Sequence, residues 1–435
     1  MDKIKIIGGN RLEGKIFISG AKNAALPLIC AGLLTKDTVT LTKMPLLSDI
    51  KSMNDLLEQL GTKIDNFDDF VDGHPTKTYS YRTQEATSLT APYDYVRKMR
   101  ASYYVLGPLL ARYGQVEVSL PGGCAIGARP MDIHLSALEQ MGAEVEIKNG
   151  YINAKVKGKL KGCHISFHTA SVGATCNIMM AATLAEGRTT IENAAKEPEI
   201  SDLAALLIAM GAKISGQGTS TITIDGVEEL HGAAHKVIAD RIEAGSYAVA
   251  AAITRGKIEL INAQPQTLQC PLQILRDMGV KVSETNKGIL IDATNAKLKG
   301  QDIMTDYYPG FPTDLQAQFL ALMLTADGAS MVTETIWENR FMHVPELLRM
   351  GANINVHGHA SAIVRGVKKL SGAQVMATDL RASFALVLAG LIAEGETTVN
   401  RVYHLDRGYE RLEEKLKGVG AKIERISEAD ELAAE

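Results

Sequence analysis

The chain has 435 residues, of which 46% are apolar and 22% charged, the proportions of a folded globular protein rather than of a disordered, collagenous or coiled-coil one. Forty-six Lys and Arg against 50 Asp and Glu leave a net charge of −4, which provides no global electrostatic footprint for nucleic acid or an anionic membrane. Five cysteines without a CxxC pair argue against a disulfide framework or a structural zinc site. The N-terminus MDKIKIIGGN lacks an apolar signal segment, and apolar stretches such as Phe384 to Ala393 are too short to span a membrane, so a cytoplasmic location is expected.

Taken in chain order, the elements repeat. The first copy opens with AALPLICAGLLT (24–35), apolar and small-sided nearly all round, the pattern of a helix buried on every face. The β run TVTLTKM follows, and then an amphipathic helix with Met53, Leu56, Leu57 and Leu60 at i, i+3, i+4 and i+7. Gly61 ends that helix as a left-handed C′ residue, and a further strand begins. The same order returns with ASYYVLGPLLAR, QVEVSL and Gly142; with ATCNIMMAATLA, TTIEN and Gly211; and with GSYAVAAAITR, KIELIN and Gly279. It returns twice more, with LQAQFLALMLTA, SMVTETI and Gly351, and with ASFALVLAGLIA, TTVNRV and Gly420. The glycines stand 68 to 81 residues apart, which predicts six copies of one unit with a domain boundary in the charged stretch Val227 to Ala239.

The copies differ where chemistry is expected. At the starts of the buried helices stand Lys22, Arg100, Arg241, Asp314 and Arg381, and in the third copy Ser171, Val172 and Gly173. Four of these are cations at the positive end of a helix dipole, each unfavourable by roughly 0.3–1 kcal/mol if unpaired. Asp240 and Asp379 are candidate partners for Arg241 and Arg381. Lys22 has no carboxylate nearby in sequence, so an anionic ligand is its expected partner. The second copy's loop is lengthened to PGGCAIGARPMDIH, placing Cys124 and Arg129 on a Gly-rich segment; Cys30 and Cys176, inside buried helices, read as core. Glu197, Arg340 and Arg407 occupy the equivalent loops. A cationic cluster around one Cys and one Asp suits a substrate carrying several phosphates or carboxylates. No P-loop or GxGxxG fingerprint is present. His134 and His343 stand alone on helix starts, and His164 and His168 share a strand face without a third ligand, so no metal site is expected.

The runs ISGAKNAALPL, PGGCAIGARPMDIH, SVGAT, ENAAKEPEI, GFPTDLQAQF, ENRFMHVPELLRMGA, LSGAQVMATDLRASFALVLAGLIAEG and HLDRGYERLEEKL resemble, over essentially the whole chain, the enolpyruvyl transferase family. The Cys loop resembles the branch that acts on UDP-N-acetylglucosamine at the start of peptidoglycan synthesis; transfer to shikimate 3-phosphate is the alternative, against which the long Cys loop and the Ser-Val-Gly turn count. The resemblance implies an α/β fold, a two-domain inverse α/β barrel of six βαβαββ-type repeats, three per domain, with residues 22–235 as one domain and 1–21 with 236–435 as the other. It also implies a cleft between them, no cofactor, no metal, phosphoenolpyruvate and UDP-N-acetylglucosamine as substrates, and a monomer or weak oligomer.

Carried over residue by residue, the resemblance makes Cys124 the acid toward the methylene of phosphoenolpyruvate, able also to bond to it and to be alkylated by the epoxide fosfomycin. Asp314 takes the proton of the sugar hydroxyl. Lys22, Arg129 and Arg407 hold the phosphate and carboxylate of phosphoenolpyruvate, with Asn23, Arg340 and Arg381 beside them and Arg100 completing the positive wall. The sugar nucleotide falls to Asn23, Arg100, Arg129, Pro130, Met131, Asp132, Ile133, His134, Ser171, Val172, Gly173, Glu197, Asp314 and Ile336. One departure is Thr169, where a Lys is common two residues before the Ser-Val-Gly turn, which weakens the case for diphosphate affinity from that side.

Overall fold

The computed structural model describes residues 2–71, 74–97, 99–120 and 131–427; Cys124, Arg129 and Pro130 lie outside the described residues. Among them the chain forms six four-stranded sheets, one for each copy of the repeat. The third copy shows the rule. Strand His164–Ser166 leads through the buried helix Val172–Ala182 to strand Arg188–Glu192, then through the amphipathic helix Pro198–Ala209 to the hairpin of Lys213–Ser215 and Thr221–Asp225. The first two strands pair in parallel, with Ile165 opposite Ile191, because a helical crossover returns the chain in the same direction. The last strand pairs antiparallel to the second, placing Ile191 opposite Ile222, and carries the third on its far edge. All six sheets repeat this order of one parallel and two antiparallel pairs.

The helices follow from composition. Every residue of Val172–Ala182 after Val172 is buried, and so is every residue of Ala382–Ile392 through Leu391; alanines and glycines let such helices pack on several sides at once. Cys30 and Cys176 are fully buried there, as expected of core cysteines. The amphipathic helices bury one stripe, for example Met53, Leu56 and Leu57 of Ser48–Gln59. All six signature glycines have φ between +91° and +104°, a conformation in which a Cβ would be strained. The widest glycine spacing is taken up chiefly by the first copy's hairpin, whose strands Lys63–Val71 and His74–Arg82 have nine residues each.

The chain divides into two compact units. Residues 20–120 and 131–238 make the contiguous one; residues 2–19 with 239–427 make the discontinuous one. Within the contiguous unit, the first copy takes its parallel edge strand from the unit's end, Ala234–Lys236, beside Val39–Met44. Within the discontinuous unit, Glu13–Phe17 lies parallel to Lys257–Ile261, and Lys3–Ile7 is inserted between Glu396–Asn400 and Lys422–Ile426. Each unit therefore closes three complete sheets. No helix among the described residues is long and apolar enough to cross a membrane.

Candidate active site

In the discontinuous unit the buried helices Arg241–Ile253, Gln316–Met323 and Ala382–Ile392 pack on one another, which gathers their N-terminal residues. Asp240 caps the first, its Oδ1 accepting the amides of Ile242 at 2.8 Å and Glu243 at 3.0 Å. Asp379 likewise accepts the amides of Arg381 at 2.7 Å and Ala382 at 2.9 Å. Of the two candidate partners, Asp379 therefore serves the free helix-start amides, which its short side chain reaches, rather than the Arg381 guanidinium. The guanidinium of Arg381 turns to Asp314, with Nε 3.3 Å from Oδ2, and donates through Nη1 to the Gly408 carbonyl at 3.3 Å. Arg241 places its guanidinium 5.5 Å from the centre of the Tyr308 ring.

Asp314 sits in the 3-10 turn Thr313–Leu315 that opens the fifth copy's buried helix. Its Oδ1 accepts from Arg340 Nη2 at 2.9 Å, so one carboxylate faces two arginines that are themselves 5% and 2% exposed. Burial alone would raise the Asp314 pKa, but the charges of Arg340 and Arg381 outweigh it and hold the carboxyl well below the usual carboxylate range. The side chain remains a quarter exposed. It is thus an ionised, accessible acceptor on a rigid support. Below it, Gln318 Nε2 donates to the Asp314 carbonyl at 3.0 Å, to Ser246 Oγ at 3.1 Å and to Tyr409 Oη at 2.9 Å, a buried polar layer that ties together the helix starts of the fourth and fifth copies. Arg407 ends the 3-10 turn Val402–Arg407, immediately before Gly408.

Glu334, which the sequence reading passed over, organises the loop that carries Arg340. It is 4% exposed; its Oε1 accepts the amides of Ile336 at 2.9 Å and Trp337 at 3.1 Å. A signal for it existed: Ser330, Val332 and Glu334 alternate on the buried face of one strand and its exit.

In the contiguous unit Lys22, 5% exposed, forms a 2.7 Å ion pair with Asp49. The expectation that Lys22 lacks a carboxylate partner is therefore corrected: Asp49 lies 27 residues away, in the first turn of Ser48–Gln59, and the fold brings the two helix starts together. Asn23 follows, partly buried. Arg100 opens the 3-10 turn Arg100–Val105. Ser171 caps the third buried helix by accepting the Ala174 amide, with Val172 its first residue. Gly173 lies against Tyr103, whose hydroxyl would be 2.6 Å from an added Cβ. Met131 precedes the helix Asp132–Gln140, on which Asp132 is exposed while Ile133 and His134 are buried. The His134 ring stacks edge-on to Tyr103 at 5.0 Å, and its Nδ1 meets Asn177 Nδ2 at 3.1 Å. Burial pushes its pKa down to about 4. Glu197 directly precedes the helix Pro198–Ala209, and Thr169 is partly exposed. His164 pairs with Glu192 at 3.2 Å on a strand, and among the described residues no group of three or more His, Cys, Asp or Glu is placed to hold a metal ion.

Residues 6–416 match the family model of EPSP synthase (3-phosphoshikimate 1-carboxyvinyltransferase). The chain is 62% identical over 429 residues to the UDP-N-acetylglucosamine 1-carboxyvinyltransferase of Paramagnetospirillum magneticum, covering 98% of this chain and 99% of that one. It is 60% identical to the enzyme of the same name from Granulibacter bethesdensis, covering 98% and 100%. Among solved structures it is similar to the enolpyruvyl transferase NikO from Streptomyces tendae, with a TM-score of 0.85 at 24% identity over 98% of both chains. EPSP synthase of Acinetobacter baumannii matches with a TM-score of 0.75 at 21% identity, over 98% of this chain and 100% of the other. These two likenesses establish the fold as that of the enolpyruvyl transferases.

Proposed function

The chain belongs to the EPSP synthase family and, within it, to the UDP-N-acetylglucosamine 1-carboxyvinyltransferases, and we propose that it transfers the enolpyruvyl group of phosphoenolpyruvate to the 3-hydroxyl of UDP-N-acetylglucosamine, releasing phosphate. The observation that carries this reading is full-length identity above one half to enzymes of that name, whereas the EPSP synthase structure shares 21%. A phosphate-release assay with phosphoenolpyruvate and either UDP-N-acetylglucosamine or shikimate 3-phosphate tests it. Release with the shikimate acceptor alone would overturn it.

The chemistry suits the residues. Addition of the sugar hydroxyl across an enol phosphate needs an acid at carbon and a base at oxygen, and the elimination that follows removes a proton from the new methyl group as phosphate leaves against fixed positive charge, restoring the double bond. Cys124 is the acid in this reading: a thiol of pKa about 8.5 is mostly protonated at neutral pH. Asp314 is the base. The two arginines that keep it ionised also make it a weak base, so it takes the proton only once the phosphate-bearing carbon of phosphoenolpyruvate has become cationic and the attacking hydroxyl acidic. Lys22, Arg129 and Arg407 hold phosphoenolpyruvate, with Lys22 sharing its charge between Asp49 and the ligand. Arg340 and Arg381 act through Asp314. Arg100, the stretch 130–133, Ser171 to Gly173, Glu197 and Ile336 serve the sugar nucleotide, while His134 supports Tyr103 from behind. The product would enter peptidoglycan synthesis in the cytoplasm, on which cell shape and division depend, and Cys124 would be the site of alkylation by fosfomycin. Replacing Cys124 by Asp removes the soft nucleophile, and that variant should resist the epoxide while keeping measurable transfer; inactivation as fast as in the parent would move the nucleophile elsewhere.

A further inference from the structure

We propose that Glu334 is a positioning residue that fixes the sugar-binding loop and the Asp314 base to each other; the proposal rests on the reaction proposed above. The two oxygens of this buried carboxylate have separate duties. Oε1 accepts the amides of Ile336 and Trp337 and the hydroxyl of Thr305 at 2.9 Å. Oε2 accepts the hydroxyl of Thr313 at 2.9 Å. Thr313 Oγ1 in turn accepts from Arg340 Nη1 at 2.9 Å, and Arg340 Nη2 donates to Asp314 Oδ1 at 2.9 Å.

The direction of this relay is set by chemistry. A guanidinium only donates, so Thr313 Oγ1 must accept from Arg340, and its single proton is left for Glu334. A carboxylate at Glu334 only accepts, so every bond in the chain has one permitted sense. Charge points the same way. Among the described residues Asp314 is the carboxylate directly bonded to the buried Arg340 and Arg381, with Arg241 also acting on Asp314 and Asp240 on Arg381; Glu334, one hydroxyl away, supplies the further negative charge that balances these cations, which lowers the cost of holding the guanidinium ions out of water. Because the other oxygen holds Ile336, a displacement of the loop by the sugar nucleotide is transmitted to the base through four bonded groups, and the hydroxyl acceptor and its base stay in register.

Substitution of Glu334 by Gln keeps an oxygen for the loop amides but places an amide donor against Thr313, which already receives Arg340. The hold of Arg340 on Asp314 then loosens, which raises the Asp314 pKa; loss of the Glu334 charge acts the other way but from further off than the 2.9 Å Arg340 contact, so the loosened contact decides the sign. Phosphate release by Glu334→Gln should fall by about tenfold or more in kcat, with the acid limb of kcat/KM moved to higher pH. Thr313→Val should move that limb the same way, Thr313→Ser should return it toward the parent position, and the double variant Glu334→Gln/Thr313→Val should be no worse than the poorer single variant. Carbon-13 NMR of the Asp314 carboxyl reads the same effect without turnover: it should titrate at higher pH in Glu334→Gln and in Thr313→Val than in the parent. An inactive parent would count against the proposed reaction and leave the NMR comparison as the test of Glu334. An unmoved Asp314 titration and acid limb in both single variants, or losses that add fully in the double variant, would overturn the positioning role even if the variants melt at lower temperature.

Discussion

Lys22 with Asp49, and Asp314 with Arg340 and Arg381, are two answers to the same problem, a charged residue at the start of a buried helix. In the contiguous unit one cation meets one anion at 2.7 Å, and both belong to the same copy of the repeat. In the discontinuous unit one anion meets two cations, one from its own copy and one from the next, at 2.9 and 3.3 Å. The first contact is made within one repeat. The second concentrates positive charge on a single carboxylate and lowers its pKa, so the same architecture gives a structural pair in one place and a poised acceptor in the other.

The largest effect should come from removing that acceptor. Asp314→Asn keeps shape but not charge, and phosphate release should fall by about 10²- to 10⁴-fold with little change in sugar-nucleotide binding; near-normal turnover would take Asp314 out of the mechanism. Asp49→Asn tests the other side. It leaves the Lys22 ammonium buried without its carboxylate and should cost about 3–5 kcal/mol in denaturant unfolding. Lys22→Met with Asp49→Leu should recover much of that stability while leaving the transfer reaction lost, since the pair is replaceable as packing and the cation is not replaceable as a ligand.

A third contrast is offered by two histidines, each eight residues before its signature glycine, His134 before Gly142 and His343 before Gly351. Both are buried with pKa pushed down by burial to about 4, His343 also feeling Asp379 and Arg340. Neither is charged above pH 6.5 in the folded or the unfolded chain. Below that, the unfolded chain takes up protons that the folded one refuses, so stability is present above the unfolded pKa and is lost as pH falls toward 4, by up to about 3 kcal/mol for each ring. His134 is bonded to Asn177, whereas neither nitrogen of His343 has a hydrogen-bond partner among the described residues. His134→Leu should therefore cost about 1–3 kcal/mol at pH 7, while His343→Leu should be neutral or stabilising there and should flatten the acid limb of the unfolding curve; equal costs for the two would cancel the contrast. A loss no larger than that of His134→Leu is expected at Gly173→Ala. Its Cβ would crowd Tyr103 and should cost about 1–3 kcal/mol in unfolding, with KM for the sugar nucleotide raised as the Tyr103 ring shifts.

The sequence carried the repeat almost completely. Periodicity located the buried helices, and the apolar-Gly signature located six left-handed glycines, because these are local properties of composition and backbone. The charged helix starts were equally visible, and Asp314 and Arg381 do meet. Partners were not. Asp49 read as an ordinary acidic residue in a first helical turn, favourable to the dipole on its own, and nothing local announced that Lys22 would fold onto it. Glu334 lies inside the β run SMVTETI and was passed over, although its alternation with Ser330 and Val332 on the buried face was there to be seen. Which strand completes which sheet was also hidden, since a five-residue strand does not declare a partner hundreds of residues away.

That last feature bears on how the protein emerges during synthesis. Lys3–Ile7 is made almost four hundred residues before the strands on either side of it, Glu396–Asn400 and Lys422–Ile426. The contiguous unit has all its strands once Ala234–Lys236 has been translated, and domains fold as units during translation. Glu13–Phe17 must then wait unpaired until Lys257–Ile261 is made, and Lys3–Ile7 until Glu396–Asn400 follows. The lysines at positions 3, 5 and 15 alternate with apolar residues along both strands, the composition that discourages an unpaired edge from joining the wrong sheet.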